Sequence, residues 1–181
     1  MDFLRRLAPL AIWLSALLLA TPAIPPSAAA GEYEVKAAFL YQFFSFVQWP
    51  EDTGGASGCI AIIGRDPFGS YLDDAVKSRS VNGRPLLVIR AQNGRDLGSC
   101  RIAFISSSEQ KDLASILRKL PPAVLSVGDM PDFCKRGGII GFELSEQRVR
   151  IRINLEAAQR GRLQVSSRLL SVAKVVGGAA Q

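Results

Sequence analysis

Cys59-Ile60-Ala61-Ile62-Ile63-Gly64 is an apolar run with no polar residue before its closing glycine. A strand with one wet face alternates in polarity, whereas an unbroken run suits a strand covered on both faces, as in a parallel sheet. Three further runs read as strands: Pro85–Arg90 (P-L-L-V-I-R), Arg101–Ser106 (R-I-A-F-I-S) and Ala123–Val127 (A-V-L-S-V). Helical segments fall between them. Asp66 offers a cap with Pro67 at the first position of a helix running to about Lys77, and a second helix spans Ser108 to Leu120 before Pro121-Pro122 stops it. Asn82-Gly83 marks a turn. The order strand, helix, strand, strand, helix, strand predicts an α/β fold: a single three-layer domain whose mostly parallel sheet is flanked by helices.

Downstream the pattern changes to an antiparallel hairpin. Ile139–Leu144 and Val149–Ile153 are joined through Ser145-Glu146-Gln147-Arg148. Centring the turn between Glu146 and Gln147 pairs Leu144 with Val149, Phe142 with Ile151 and Ile140 with Ile153. The same register sets Glu143 opposite Arg150, so one alignment satisfies both faces. Asn154 caps a short helix that Gly161 can end, and Ser166 opens a last helix with Leu169, Val172/Ala173 and Val176 inward. Upstream, Glu32 to Trp49 reads as a mostly buried helix, stopped by Pro50. Its stripe is Val35, Phe39, Phe43 and Phe46/Val47, widened by Ala38, Leu40 and Phe44.

Arg5 and Arg6, the apolar run Leu10–Ala20 and the small residues up to Ala30 compose a secretory signal peptide over residues 1–30, with residues 31–181 as the folded domain. The clean apolar run is about half the roughly 20 residues a spanning helix needs, so no membrane insertion is expected after cleavage. Cleavage removes two arginines and one aspartate, taking the formal charge from +6 to +5. The mature chain is predicted to be an exported domain, for which disulfides are permitted.

The 181 residues include 22 Lys+Arg, 16 Asp+Glu, three cysteines and no histidine. Ser-His-Asp and Cys-His catalysis, histidine zinc sites, four-thiolate zinc and iron–sulfur clusters are thereby excluded. There is no phosphate loop, dinucleotide fingerprint or nucleophile elbow. Asp66 and Asp129 follow the first and fourth strands, where α/β ligand sites lie, but read more simply as a helix cap and a turn residue. Gly64 and Gly69 around Arg65 make a weak anion signal at a helix start, and Glu51-Asp52 and Asp73-Asp74 read as solvated acids. No enzyme, cofactor or metal is expected. Nucleic acid is a poor partner despite a pI near 9.6, because the basic residues alternate with aliphatics rather than aromatics.

Three cysteine pairings are possible: 59–100, 59–134 and 100–134. In a doubly wound sheet of order 2-1-3-4 the first and third strands are neighbours, and Cys59 and Cys100 sit at the same edge of them. Parallel strands about 4.8 Å apart suit a disulfide, so Cys59–Cys100 is the predicted bridge. Cys134 is left as a free thiol or an intermolecular linker. Arg148, Arg150 and Arg152 alternate with Val149, Ile151 and Ile153, and so project from one face. With Glu143 and Asn154 they form the predicted partner-binding surface. Its alternative is a solvated sheet face.

Lys36-Ala37-Ala38-Phe39-Leu40-Tyr41-Gln42-Phe43, continuing Phe46-Val47-Gln48-Trp49-Pro50, resembles the opening of the YfiR family of periplasmic proteins. Gly138, Phe142, Ile151-Arg152-Ile153-Asn154, Ala157-Ala158 and Leu163–Leu170 resemble its far end in the same order. The resemblance implies a compact α/β regulator that binds the periplasmic domain of an inner-membrane diguanylate cyclase and holds it inactive, lowering cyclic di-GMP and biofilm formation. Arg152 and Asn154 lie in the resembling stretch, which favours a protein partner over lipid. Members often carry two disulfides, whereas three cysteines allow one. A periplasmic small-ligand binding protein is the alternative reading, and a homodimer stays open.

Overall fold

The computed structural model describes residues 28–51, 58–92, 97–98 and 100–177. Residues 1–27, which carry most of the expected signal peptide, lie outside that set. The first helix, α1, spans Ala28–Phe46. It stops three residues before the expected end, because Val47–Gln48 becomes a short strand, β1. Val47 pairs with Val165 and Gln48 with Gln164, and the Phe46 carbonyl accepts from Ser166 N at 2.9 Å. A partner more than 100 residues away therefore decides where the helix ends.

Strands β2 (Cys59–Ile63), β5 (Leu87–Ala91), β6 (Ile102–Ile105) and β7 (Leu125–Gly128) are the four parallel strands of the sequence reading, each shifted by a residue or two from its apolar run. They lie in the order β5-β2-β6-β7, the expected 2-1-3-4 arrangement. Every residue of β2, β6 and β7 is buried, which explains why their sequences do not alternate. Between β2 and β5, Asn82 and Gly83 turn a small hairpin of β3 (Ser80–Val81) and β4 (Arg84–Pro85), both with positive φ. The sheet continues through β8 (Ile140–Ser145), β9 (Arg148–Asn154) and β11 (Lys174–Val176), giving seven strands. β8 runs parallel to β7, β9 antiparallel to β8, and β11 parallel to β9. The remaining short strand, β10 (Gln164–Val165), is the partner of β1.

The β8–β9 register is the predicted one: Leu144 opposite Val149, Phe142 opposite Ile151, Ile140 opposite Ile153 and Glu143 opposite Arg150. Its two-residue turn holds Glu146 and Gln147 at φ 52° and 58°, a left-handed pair on two residues with side chains.

Two apolar layers sandwich the sheet. On one face α1 brings Leu40 and Phe43 onto Phe142, Ile151 and Ile153, while Phe68 packs edge-on against Phe104 at 4.7 Å. On the other face α3 (Leu113–Lys119) sets Leu113 and Ile116 over Ala61, Ile63, Ala103 and Ile105. Phe133 extends that second layer. Its ring lies flat on the backbone of Gly138, where a Cβ would come within 2.1 Å of it, so only glycine fits there.

Several local expectations change. The buried line of α1 runs Lys36, Ala37, Leu40, Phe43, with Val35 and Ala38 exposed and Phe39 at the margin. The helix is rolled toward Lys36 because that lysine is buried in an ion pair, which hydrophobic periodicity cannot register. Asp66 caps no helix: α2 is Ser70–Val76 with Gly69 before it, and Asp66 Oδ1 instead accepts from Phe68 N at 2.7 Å. The segment after Ser106 first makes a 3-10 turn, Ser107–Glu109, and α3 follows four residues later. Asn154 caps α4 (Leu155–Arg160) as expected, its Oδ1 accepting from Ala157 N at 2.9 Å. The last helix is shorter than expected. α5 covers only Ser167–Leu170, Val172 is exposed, and Lys174–Val176 becomes β11 along the open side of β9. Two adjacent valines favour that strand once a neighbour offers hydrogen bonds.

Candidate functional site

The crevice where α/β domains hold ligands, between the carboxyl ends of β2 and β6, is closed. Gly64 adopts φ 89°, and a Cβ there would fall 2.5 Å from Ser108 Oγ. Arg65 N donates to that hydroxyl at 3.0 Å, and the hydroxyl donates to Glu109 Oε1 at 2.9 Å. The weak anion signal around Gly64, Arg65 and Gly69 is thus unsupported. Asp66, which follows β2, is engaged by Arg90 Nε at 2.9 Å, and Arg90 also grips Asp73 at 2.6 Å. These contacts tie α2 to β5, and the mutual attraction raises the Arg90 pKa, chiefly through the Asp73 hydrogen bonds. Asp73 is therefore an ion-pair partner rather than a solvated acid.

The predicted bridge is present: Cys59 and Cys100 form a disulfide with Cα atoms 4.3 Å apart, at the amino ends of β2 and β6. Cys134 is free and buried. Its Sγ lies 3.5 Å from the Arg152 carbonyl and 3.6 Å from the Ile139 carbonyl, and burial pushes its pKa up to about 11. A thiol sealed and protonated in this way is no intermolecular linker, so the free-thiol alternative stands.

Arg148, Arg150 and Arg152 alternate along β9 on the face turned away from α1, and the apolar layer that Leu113 and Ile116 of α3 join includes no residue of β8, β9 or β11. Register adds Lys174, which pairs with Arg152 across β9 and β11. Glu143, Arg150, Arg152 and Lys174 line a surface depression of about 390 Å³ there. Glu143 lies opposite Arg150 in the ladder but makes its ion pair diagonally, with Arg152. Gly141, the residue opposite Arg152, leaves space for that geometry. Arg152 is thereby held down at 29% exposure, while Arg150 reaches only Glu146, at 3.9 Å. Arg148 and Lys174 make no ion pair among the described residues. The face therefore presents three weakly engaged cations, Arg148, Arg150 and Lys174. Sequence reasoning missed Lys174, because it was read into a helix.

Asn154 does not belong to that surface. It is 8% exposed, with Oδ1 capping α4 and Nδ2 donating to the Cys134 carbonyl at 2.8 Å. It braces the end of β9 from beneath.

Asp129, read as a turn residue, is a buried carboxylate. It follows β7 and accepts at Oδ2 from Lys36 Nζ and Tyr33 Oη, both at 2.9 Å. Lys36 also pairs with Glu32 at 2.5 Å. The lysine is 3% exposed and Asp129 4%. Burial, then the Asp129 charge, raises the Tyr33 pKa. Lys36 follows Tyr33 by three residues and Glu32 by four, a same-side spacing that could have flagged this polar edge of α1, had the stripe not been read as wholly apolar. Among the described residues no group of three or more acids, cysteines or histidines converges as a metal cage. No helix there is long and apolar enough to cross a membrane.

Comparison with solved structures shows similarity at the level of the fold. A conserved domain protein from Vibrio cholerae O1 biovar El Tor str. N16961 superimposes with TM-score 0.50 at 10% identity, covering 77% of this chain and 59% of that one. The ABC domain in complex with L-Trp from Streptococcus pneumonia gives TM-score 0.47 at 9% identity, covering 82% of this chain and 60% of the other. The chain thus spans about 60% of the length of these two structures. No curated protein sequence matches it. Residues 33–174 match the model of one family from the first turns of α1 to the start of β11, and with that extent of agreement the chain belongs to the YfiR/HmsC-like family.

Proposed function

We propose that this protein is a periplasmic regulator that binds the periplasmic domain of an inner-membrane diguanylate cyclase and holds it inactive. The family match over residues 33–174 carries this reading. Two features support it. The usual α/β ligand crevice is filled by Gly64, Ser108 and Glu109. Three weakly engaged cations, Arg148, Arg150 and Lys174, share the open sheet face, which suits an acidic protein surface. Arginine contributes there because its planar fork can hold a carboxylate bidentately. Arg152 serves the same face indirectly, keeping Glu143 folded back so that it does not neutralise Arg150.

The experiment is deletion and complementation with cyclic di-GMP as the readout. Loss of the gene raises cyclic di-GMP, the full chain restores it, and a chain lacking residues 2–30 does not, because it never reaches the cyclase. Full repression by the leaderless chain would overturn the periplasmic part of the reading. An unchanged cyclic di-GMP level on deletion would overturn the regulator itself.

A further inference from the structure

Strand β9 is only half covered along its outer side. β8 pairs with it from Arg148 to Ile153, whereas β11 runs beside it only from Arg152 to Asn154. The stretch Arg148–Ile151 is therefore an open sheet edge among the described residues. Hydrogen-bond parity in the hairpin decides what that edge presents. Asn154 N donates to the Ile139 carbonyl at 2.8 Å, so Arg152, Arg150 and Arg148 also turn their backbone groups toward β8. Val149 and Ile151, in between, turn theirs outward. Among the described residues no backbone donor or acceptor meets Val149 on that side.

Unpaired N–H and C=O groups on an edge are a template for a further strand, unless proline, a bulge, charge or a covering segment prevents it. Arg148–Ile151 contains no proline, and its register with β8 is unbroken. The segment leading into β11, Ser171–Ala173, lines the depression of about 390 Å³ together with Arg150 and Ile151, so space rather than chain lies along the strand there. β11 itself runs parallel to β9 and leads away from the open stretch. Charge is the protection that remains, and it is selective. A second copy pairing antiparallel about Val149 would set Arg148 against Arg150, whereas an acidic strand meets attraction at both.

The two faces of the edge differ. Arg148 and Arg150 are exposed on one, with Lys174 in line. On the other, half-buried Val149 lies beside its ladder partner Leu144, which is 57% exposed. An added strand would set alternate residues against these two surfaces.

We propose that the open half of β9 takes up an extended segment of a protein partner as an additional strand, end to end with β11. Acidic residues at alternate positions face Arg148 and Arg150, and aliphatic residues between them face Val149 and Leu144. The inference deepens the regulator reading, on which it rests for the identity of the partner, and gives the basic face a mode of recognition.

Fluorescence anisotropy with the folded domain tests it, using a fluorescein-labelled, end-blocked Glu-Val-Glu-Val-Glu-Val-Glu peptide. In an extended strand the valine N–H groups all point to one side and the glutamate N–H groups to the other. Saturable binding is expected. N-methylation of one set, the three valines or the two inner glutamates, should weaken it at least tenfold, while methylation of the other set leaves it intact. A peptide with lysine for every glutamate should not bind. On the protein, Val149→Pro removes an outward N–H that takes no part in the β8 ladder and should weaken binding at least tenfold, whereas Val149→Ile should retain it. The methylated peptides leave the protein unaltered, so the test stands even if the proline variant does not fold. Absence of saturable binding overturns the proposal, as does equal binding by the two methylated peptides. No cyclase takes part in this titration, so its failure is distinct from failure of the regulator reading, which the deletion experiment tests alone.

Discussion

Removing the Cys59–Cys100 disulfide should destabilise the domain substantially. The bridge joins residues 41 apart in sequence. In the chain-entropy model a closed loop of that length restricts the unfolded chain by about 4 kcal/mol at 25 °C. For a domain near 150 residues each kcal/mol moves the melting temperature by roughly 2–4 °C, so the expected loss is about 8–16 °C. Both cysteines are buried beside Ala61, Ala103 and Leu97, so alanine is the appropriate replacement; serine would bury a hydroxyl as well. The β2–β6 ladder, Ile60 opposite Ile102 through Ile63 opposite Ile105, does not depend on the bridge and should survive. The assay is thermal unfolding followed by circular dichroism for wild type and for Cys59→Ala with Cys100→Ala. Wild type reduced under denaturing conditions and refolded with its thiols reduced should melt near the variant's temperature. A loss below about 3 °C, well short of that chain-entropy expectation, would refute the reasoning.

Three further outcomes follow from individual contacts. Phe43→Ala empties a fully buried site stacked between Phe39 and Phe142 and should cost about 3–5 kcal/mol in urea unfolding. Gln147→Gly relieves a left-handed residue in the β8–β9 turn, and should stabilise by about 1 kcal/mol by the same measurement without altering the register. Native Cys134 holds its proton to about pH 11, whereas the unfolded thiol ionises near 9, so stability should fall as pH rises from 9, by about 1.4 kcal/mol per unit. Cys134→Ala should remove most of that slope between pH 9 and 10, leaving the smaller part contributed by Tyr33, whose phenol is also held protonated, as chemical unfolding at the two values would show.

Much of the fold was legible in the sequence, for a physical reason. The hairpin could be aligned because both of its faces constrain one register, apolar pairs on one side and Glu143 against Arg150 on the other. The three buried strands β2, β6 and β7 lacked alternation because helices cover both sides, and the order of the four parallel strands then located the disulfide. The parts that were not legible depend on partners distant in sequence. β1 exists only because β10 comes alongside it, and β11 only because β9 leaves an edge open. The roll of α1 follows from Lys36 meeting Asp129, residues 93 positions apart that no local pattern connects. Asp66 looked like a cap because its spacing to Pro67 fits one, yet Arg90 draws it into an ion pair instead. At the candidate face the arginine stripe was visible from alternation alone. Its fourth member, Lys174, and the withdrawal of Asn154 into the interior needed the tertiary structure.

The claim that the basic sheet face carries the regulatory function is tested most directly by charge reversal on that face, read out as cyclic di-GMP in a complemented deletion strain. Arg148→Glu with Arg150→Glu should melt within about 2 °C of wild type, since exposed side chains away from caps and core change stability little. The variant should leave cyclic di-GMP at the level of the deletion strain, while Lys77→Glu with Lys111→Glu, an equal charge change at exposed positions elsewhere, should repress like wild type. Full repression by a folded Arg148→Glu, Arg150→Glu protein would contradict the account.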